Sequence, residues 1–83
     1  MDPYGEFVSM SEKLLVSPAW GHLRTSKRAG ERVEEAAVLG RISGGGQDVL
    51  VLAPTRGVFI GWIALEGELV WRGTPLGRMV GAA

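Results

Sequence analysis

The chain contains no cysteine. Disulfides, thiolate chemistry and sulfur-ligated metals are therefore excluded, and packing alone must hold its core. It has no run of about 18 apolar residues, the length a helix needs to cross a bilayer. It also lacks the charged segment and short apolar stretch of a signal peptide. The expectation is a cytoplasmic setting without membrane contact. Histidine occurs once, at His22; aspartate beyond residue 9 occurs once, at Asp48; lysine occurs only at Lys13 and Lys27. Charge of one sign is missing too, with nine basic residues against nine acidic. Leaving out Asp2 and Glu6 gives nine against seven, or +2. That balance makes no concentrated basic field, so nucleic acid is not expected as a partner.

What the chain has in quantity is glycine, thirteen residues, with four prolines, among 83 residues in all. They punctuate short apolar runs, a pattern of strands rather than helices. The first nine residues, MDPYGEFVS, share nothing with the remainder and end before a second methionine, Met10. With Gly5, Glu6 and Phe7 resembling a cloning scar, 1–9 reads as an expression tag. Residues 10–83 read as one small domain.

Within that domain, 12–42 is repeated imperfectly by 48–79. Glu12–Pro18 (EKLLVSP) aligns with Asp48–Pro54 (DVLVLAP), and Gly21 with Gly57. Gly30 and Glu31 align with Gly67 and Glu68, and Val38–Ile42 with Pro75–Met79. The offset is 36 residues up to Gly21/Gly57 and 37 from Gly30/Gly67 onward, so the first copy lacks one residue in between. Units this short cannot bury an apolar face alone and are expected to pack on each other around a pseudo-two-fold axis.

Strands are expected at 14–17, 21–25, 38–43, 49–53, 58–64 and 76–80, with short pieces near 31–33 and 68–70. Residues 29–39 have a helix-like composition. Their counterpart contains Gly73 and Pro75, which break helices, so extended and turn structure is expected in both copies. Gly73 aligns with Ala36, so one of the two turns either tolerates alanine or is distorted. The expected core is Leu15, Leu23, Val33, Leu39, Val51, Phe59, Val70 and Leu76.

The half-motifs resemble the biotinyl/lipoyl carrier domains. The matching residues are Ser17, Pro18, Gly21, Gly30, Glu31, Val33 and 39–42 in the first half. In the second they are Ala53, Pro54, Gly57, Gly67, Glu68, Val70 and 73–76. Together they cover nearly all of 13–80. The resemblance implies an all-β, flattened β-barrel (a barrel-sandwich hybrid) of two quasi-two-fold halves. It also implies a hairpin between the halves whose tip carries a lysine modified with biotin or lipoate. The family spacing puts that position at Gly46, within Ser43–Gln47. Glycine offers no amine, and neither Lys13 nor Lys27 sits in a matching motif. No cofactor is therefore expected, and the domain is read as non-catalytic.

Other chemistry finds little support. Gly44–Gly46 lacks the Gly-Lys-Ser/Thr sequence and following helix of a P-loop, and reads as a hairpin tip. His22 has no companion ligands for a metal, and no nucleophile elbow accompanies it. Glu31 and Glu68 read as solvated turn carboxylates. Arg24, Lys27, Arg28 and Arg32 form a basic run, read as a solvated face that could also meet an acidic partner.

The remaining feature is an apolar excess in the second copy. Val49–Leu52 and Val58–Leu65 show almost no polar alternation, so some of Leu50, Leu52, Ile60, Trp62 and Ile63 must point outward. Trp71 stands where the family is usually polar. Trp71, with Trp62, Leu50 and Leu52 beside it, is the expected interaction surface, for a protein partner or self-association, the alternative for Trp62 being that it only thickens the small core. Two further readings stay open: a carrier subunit of a carboxylase or 2-oxoacid dehydrogenase type complex with an atypical site, and the lipoyl-like part of a transport adaptor.

Overall fold

A computed structural model describes residues 10–82 of the chain; the segment 1–9, read above as a tag, lies outside the described residues. Eight strands follow in order, with no helix among the described residues. They are β1 (Met10–Val16), β2 (Gly21–Thr25), β3 (Arg32–Val33), β4 (Val38–Gly44), β5 (Gln47–Leu52), β6 (Gly57–Trp62), β7 (Leu69–Val70) and β8 (Pro75–Ala82). They form two four-stranded sheets, ordered β1-β8-β6-β3 and β5-β4-β2-β7, with every pair antiparallel. The fold is all-β. The described strand pairs leave the two sheets separate rather than closing them into one barrel.

Exchanging β1–β4 with β5–β8 converts one sheet order into the other. Each sheet therefore draws two strands from each half of the chain. Backbone hydrogen bonds at the corners come in corresponding pairs. The Ser17 N–H donates to the Thr74 carbonyl at 2.8 Å, and the Ala53 N–H to the Ala37 carbonyl at 2.9 Å. Likewise Gly67 donates to Leu23 and Gly30 to Phe59, both at 2.7 Å. All four of these bonds join one half to the other. A separated half would leave these groups without partners and its inner face wet.

The strand bounds differ from expectation for local reasons. β1 stops at Val16, because Ser17 already turns its N–H to Thr74. β6 ends at Trp62 rather than at residue 64. The N–H groups of Ile63 and Ala64 both turn to the Leu76 carbonyl, at 2.7 and 3.1 Å. The helix-like stretch 29–39 contains only β3, a turn and the start of β4.

The one-residue difference between the copies also finds its place. β2 pairs β4 without interruption, Leu23 opposite Ile42 and Arg24 opposite Arg41. β6 starts on β8 the same way, Phe59 opposite Met79, and then skips to Gly61 opposite Arg78. Ile60 is thus the extra residue, taken up as a β-bulge and left exposed.

All eight expected core residues are buried between the sheets. Ile42, Ala53, Ala64 and Met79 complete the cluster. Each large side chain there contributes about 1.5–3 kcal/mol from leaving water. Ser17 is the buried polar exception, and its hydroxyl donates to the Ala19 carbonyl at 2.6 Å. The aligned turns containing Ala36 and Gly73 take the same left-handed form, with φ of 65° and 89°. The first copy therefore tolerates alanine at the cost of a strained backbone.

Candidate interaction surface

β4 and β5 meet in a two-residue turn, Gly45–Gly46, closed by Gly44 opposite Gln47. Both turn residues have positive φ, 59° and 80°. This mirror-image turn follows the twist of the strands, and glycine adopts it without strain. A side chain added at Gly46 would meet no atom within 4 Å. The tip is open, and it carries no functional group.

The two lysines lie elsewhere. Lys13 is on β1 opposite Met79. Lys27 follows β2, and its carbonyl accepts the Trp62 indole N–H at 2.8 Å. That bond helps hold Trp62 half-buried, with its ring edge-on to Phe59 at a centroid distance of 4.8 Å. Trp62 thus belongs to the packing beside the core, and the expectation that it flanks Trp71 on an exposed surface is corrected. A tryptophan aligned with Thr25 gave no sequence sign of this inward turn, which follows the bulge at Ile60.

Trp71 is 61% exposed, immediately after β7. Its neighbour is Trp20, 55% exposed, with ring centroids 6.2 Å apart and planes inclined by 31°. The pairing of Gly21 with Val70 brings them together, since it sets the preceding Trp20 beside the following Trp71. Trp20 also borders the hairpin tip: a methyl group added at Gly45 would stand 3.9 Å from its ring. Sequence reasoning passed over Trp20. Its signal was a large aromatic in the turn after Pro18, where the second copy has Arg56. Leu69, exposed and opposite His22, extends the surface. Taking about 250 Å² for a fully exposed tryptophan, the two rings present roughly 300 Å². That approaches the size of patches that mark binding sites.

Leu50 and Leu52 are exposed as expected, at 50% and 45%. They lie on β5 at the open edge of the second sheet, separated from the tryptophans by β4 and β2. The structure therefore divides the expected surface into a tryptophan pair near the tip and an apolar edge strand.

The chain has the fold of a small part of a carboxylase. A single-chain, multi-domain long-chain acyl-CoA carboxylase superposes with a TM-score of 0.80 at 17% identity, over 100% of this chain and 8% of that one. The Kluyveromyces lactis urea carboxylase superposes with a TM-score of 0.76 at 20% identity, over 83% of this chain and 6% of that one. At such identities the likeness concerns the fold. No protein-family model and no curated protein sequence matches the chain.

The polar groups around the surface are occupied structurally. His22 donates its Nδ1–H to the Gly67 carbonyl at 3.0 Å. Glu66 accepts the Thr25 backbone N–H at 2.6 Å, the Thr25 hydroxyl at 2.9 Å and the Arg24 guanidinium at 3.3 Å. The Thr25 N–H above all, then its hydroxyl, with Arg24 adding to them, hold the Glu66 carboxyl below the usual glutamate range against the opposing effect of desolvation. Arg24, one of the four residues of the basic run, is thereby engaged in an ion pair. Glu31 accepts the Arg28 N–H at 2.5 Å and Glu68 the Leu65 N–H at 2.9 Å, so both act as turn clasps. Among the described residues no group of His, Asp and Glu is arranged to hold a metal ion.

Proposed function

We propose that this chain is a biotinyl/lipoyl-like domain without an attached cofactor, serving as a non-catalytic protein-interaction or assembly module. One observation carries the reading: the turn where the family presents its lysine is Gly45–Gly46, an open tip with no amine. Biotin and lipoate attachment both need a primary amine as nucleophile on an exposed turn. Lys13 sits within a strand, and Lys27 lies in a connection whose backbone holds Trp62. The Trp20–Trp71 pair beside the tip supplies what such a module needs instead, a rigid aromatic anchor with little entropy to lose on binding. The proposed setting is cytoplasmic and the proposed partner a protein.

The likeness to two carboxylase chains favours a second reading, a carrier subunit of a carboxylase or 2-oxoacid dehydrogenase type complex with an atypical attachment site. A transport adaptor is a weaker reading, because that branch of the family inserts a helical hairpin where this chain has a two-residue turn. Co-expression of the intact chain with biotin and lipoate ligases, followed by intact-mass measurement, separates the first two. The unmodified mass is expected. Added biotin or lipoate on Lys13 or Lys27 would overturn the non-carrier reading.

A further inference from the structure

We propose that β5 is a pairing edge through which two copies of this chain join their β5-β4-β2-β7 sheets into one eight-stranded antiparallel sheet, about a two-fold axis at Leu50. The inference goes beyond the interaction module proposed above and does not depend on the tryptophan pair.

It begins with the geometry of the hairpin. The turn Gly45–Gly46 makes Gly44 and Gln47 the first hydrogen-bonded pair, so Gln47, Val49 and Val51 direct their backbone groups at β4. Ala53 continues the alternation, donating to the Ala37 carbonyl and accepting from the Ala36 N–H. The intervening Asp48, Leu50 and Leu52 must direct N–H and C=O away from β4. Among the described residues β5 has no second neighbour there, because it ends its sheet.

An antiparallel second copy satisfies every one of these groups in one register only. With the axis at Leu50, Asp48 pairs with Leu52 of the second copy, Leu50 with Leu50, and Leu52 with Asp48. Moving the axis to Val51 sets Asp48 against Pro54, which has no N–H. Moving it to Val49 sets Leu52 against Gly46 in the turn. In the favoured register the exposed Leu50 side chains meet on the outer face, and Val49 lies against Val51 of the second copy on the inner face. Asp48 brings no free charge, because Arg41 on β4 pairs with it at 3.0 Å.

The other long edge, β1, provides the contrast. Glu12, Leu14 and Val16 occupy the positions of Asp48, Leu50 and Leu52. Between the first two stands Lys13, where β5 has Val49. Self-pairing of β1 would press that ammonium against Leu15 of the second copy. A charge on the inner side of an edge strand is a known device against such pairing. β5 lacks it.

The chain has no cysteine, so introduced ones report cleanly. Residues paired by hydrogen bonds across an antiparallel ladder have Cα atoms about 5.5 Å apart, within disulfide reach. Under mild oxidation Leu50→Cys is expected to give a covalent dimer, while Leu14→Cys stays monomeric. Asp48→Cys and Leu52→Cys chains should cross-link when mixed, and neither should do so alone. In sedimentation, Leu50→Lys should be monomeric with an unchanged circular dichroism spectrum, whereas wild type and Trp71→Glu should both be dimeric. Leu50→Cys cross-linking no better than Leu14→Cys would overturn the proposal. So would a dimer that survives Leu50→Lys but not Trp71→Glu, which would assign self-association to the tryptophans. Cofactor attachment is read separately by mass, so either idea can fail alone.

Discussion

Restoring an amine to the hairpin tip tests the correspondence between Gly46 and the family's lysine most directly. The perturbation is Gly46→Lys, combined with Gly45→Met and Gln47→Met to reproduce the sequence that biotin-attaching enzymes read. Its cost can be worked from the turn itself. Gly45 and Gly46 have φ of 59° and 80°, where a side chain costs about 1–2 kcal/mol each. Replacing each glycine also restricts the unfolded chain, which returns about 0.4–1 kcal/mol per site. Crowding adds little, since nothing lies within 4 Å of a Cβ at Gly46 and only the Trp20 ring, at 3.9 Å, near one at Gly45. The net loss is about 1–2 kcal/mol, which a small domain tolerates. The assay is co-expression with biotin ligase, followed by intact mass and a thermal melt. The folded triple variant should gain the mass of one biotin, and Gly46→Lys alone less completely. A variant that melts cooperatively yet stays unmodified would refute the positional correspondence. One that fails to fold would refute the strain estimate.

Phe59, fully buried against Trp62, should cost about 3–5 kcal/mol when truncated to alanine, read from urea unfolding. Ala36→Gly should leave stability unchanged or raise it by up to about 1 kcal/mol, because relief of the left-handed alanine outweighs or balances the added freedom of the unfolded chain. Gly73→Ala should lower it by a similar amount, and a change of the same sign in both variants would show that the turns differ. Glu66 is held below the usual glutamate range, so its contribution to stability is present above that range and disappears as pH falls through its folded value. Glu66→Gln should therefore lower the melting temperature near neutrality and converge with wild type in acid; a gap that persists in acid would contradict the assignment. Trp71→Glu should leave the fold intact and weaken binding of a protein partner, whereas a variant that unfolds would place Trp71 in the core.

Sequence alone determined the strand content, eight of the twelve residues of the core and the bare hairpin tip. These depend on rules that need no tertiary contact: proline and glycine end strands wherever they stand, and residues that recur at matching positions of the two copies share an environment. The alignment of 12–42 with 48–79 went further, because it denied 29–39 the helix its composition suggested. Only the tertiary structure decided which apolar residues remain exposed. Trp62 and Trp71 look alike along the chain. The bulge at Ile60 brings Trp62 against Phe59 and the Lys27 carbonyl, while the pairing of Gly21 with Val70 sets Trp71 outside, against Trp20. Leu50 and Leu52 belong to an edge only because β5 ends its sheet, and sheet order is settled by contacts distant in sequence. Local propensity writes strands and turns into the sequence. A one-residue slip in register reverses which face is wet, and that choice is made by pairing across the whole fold.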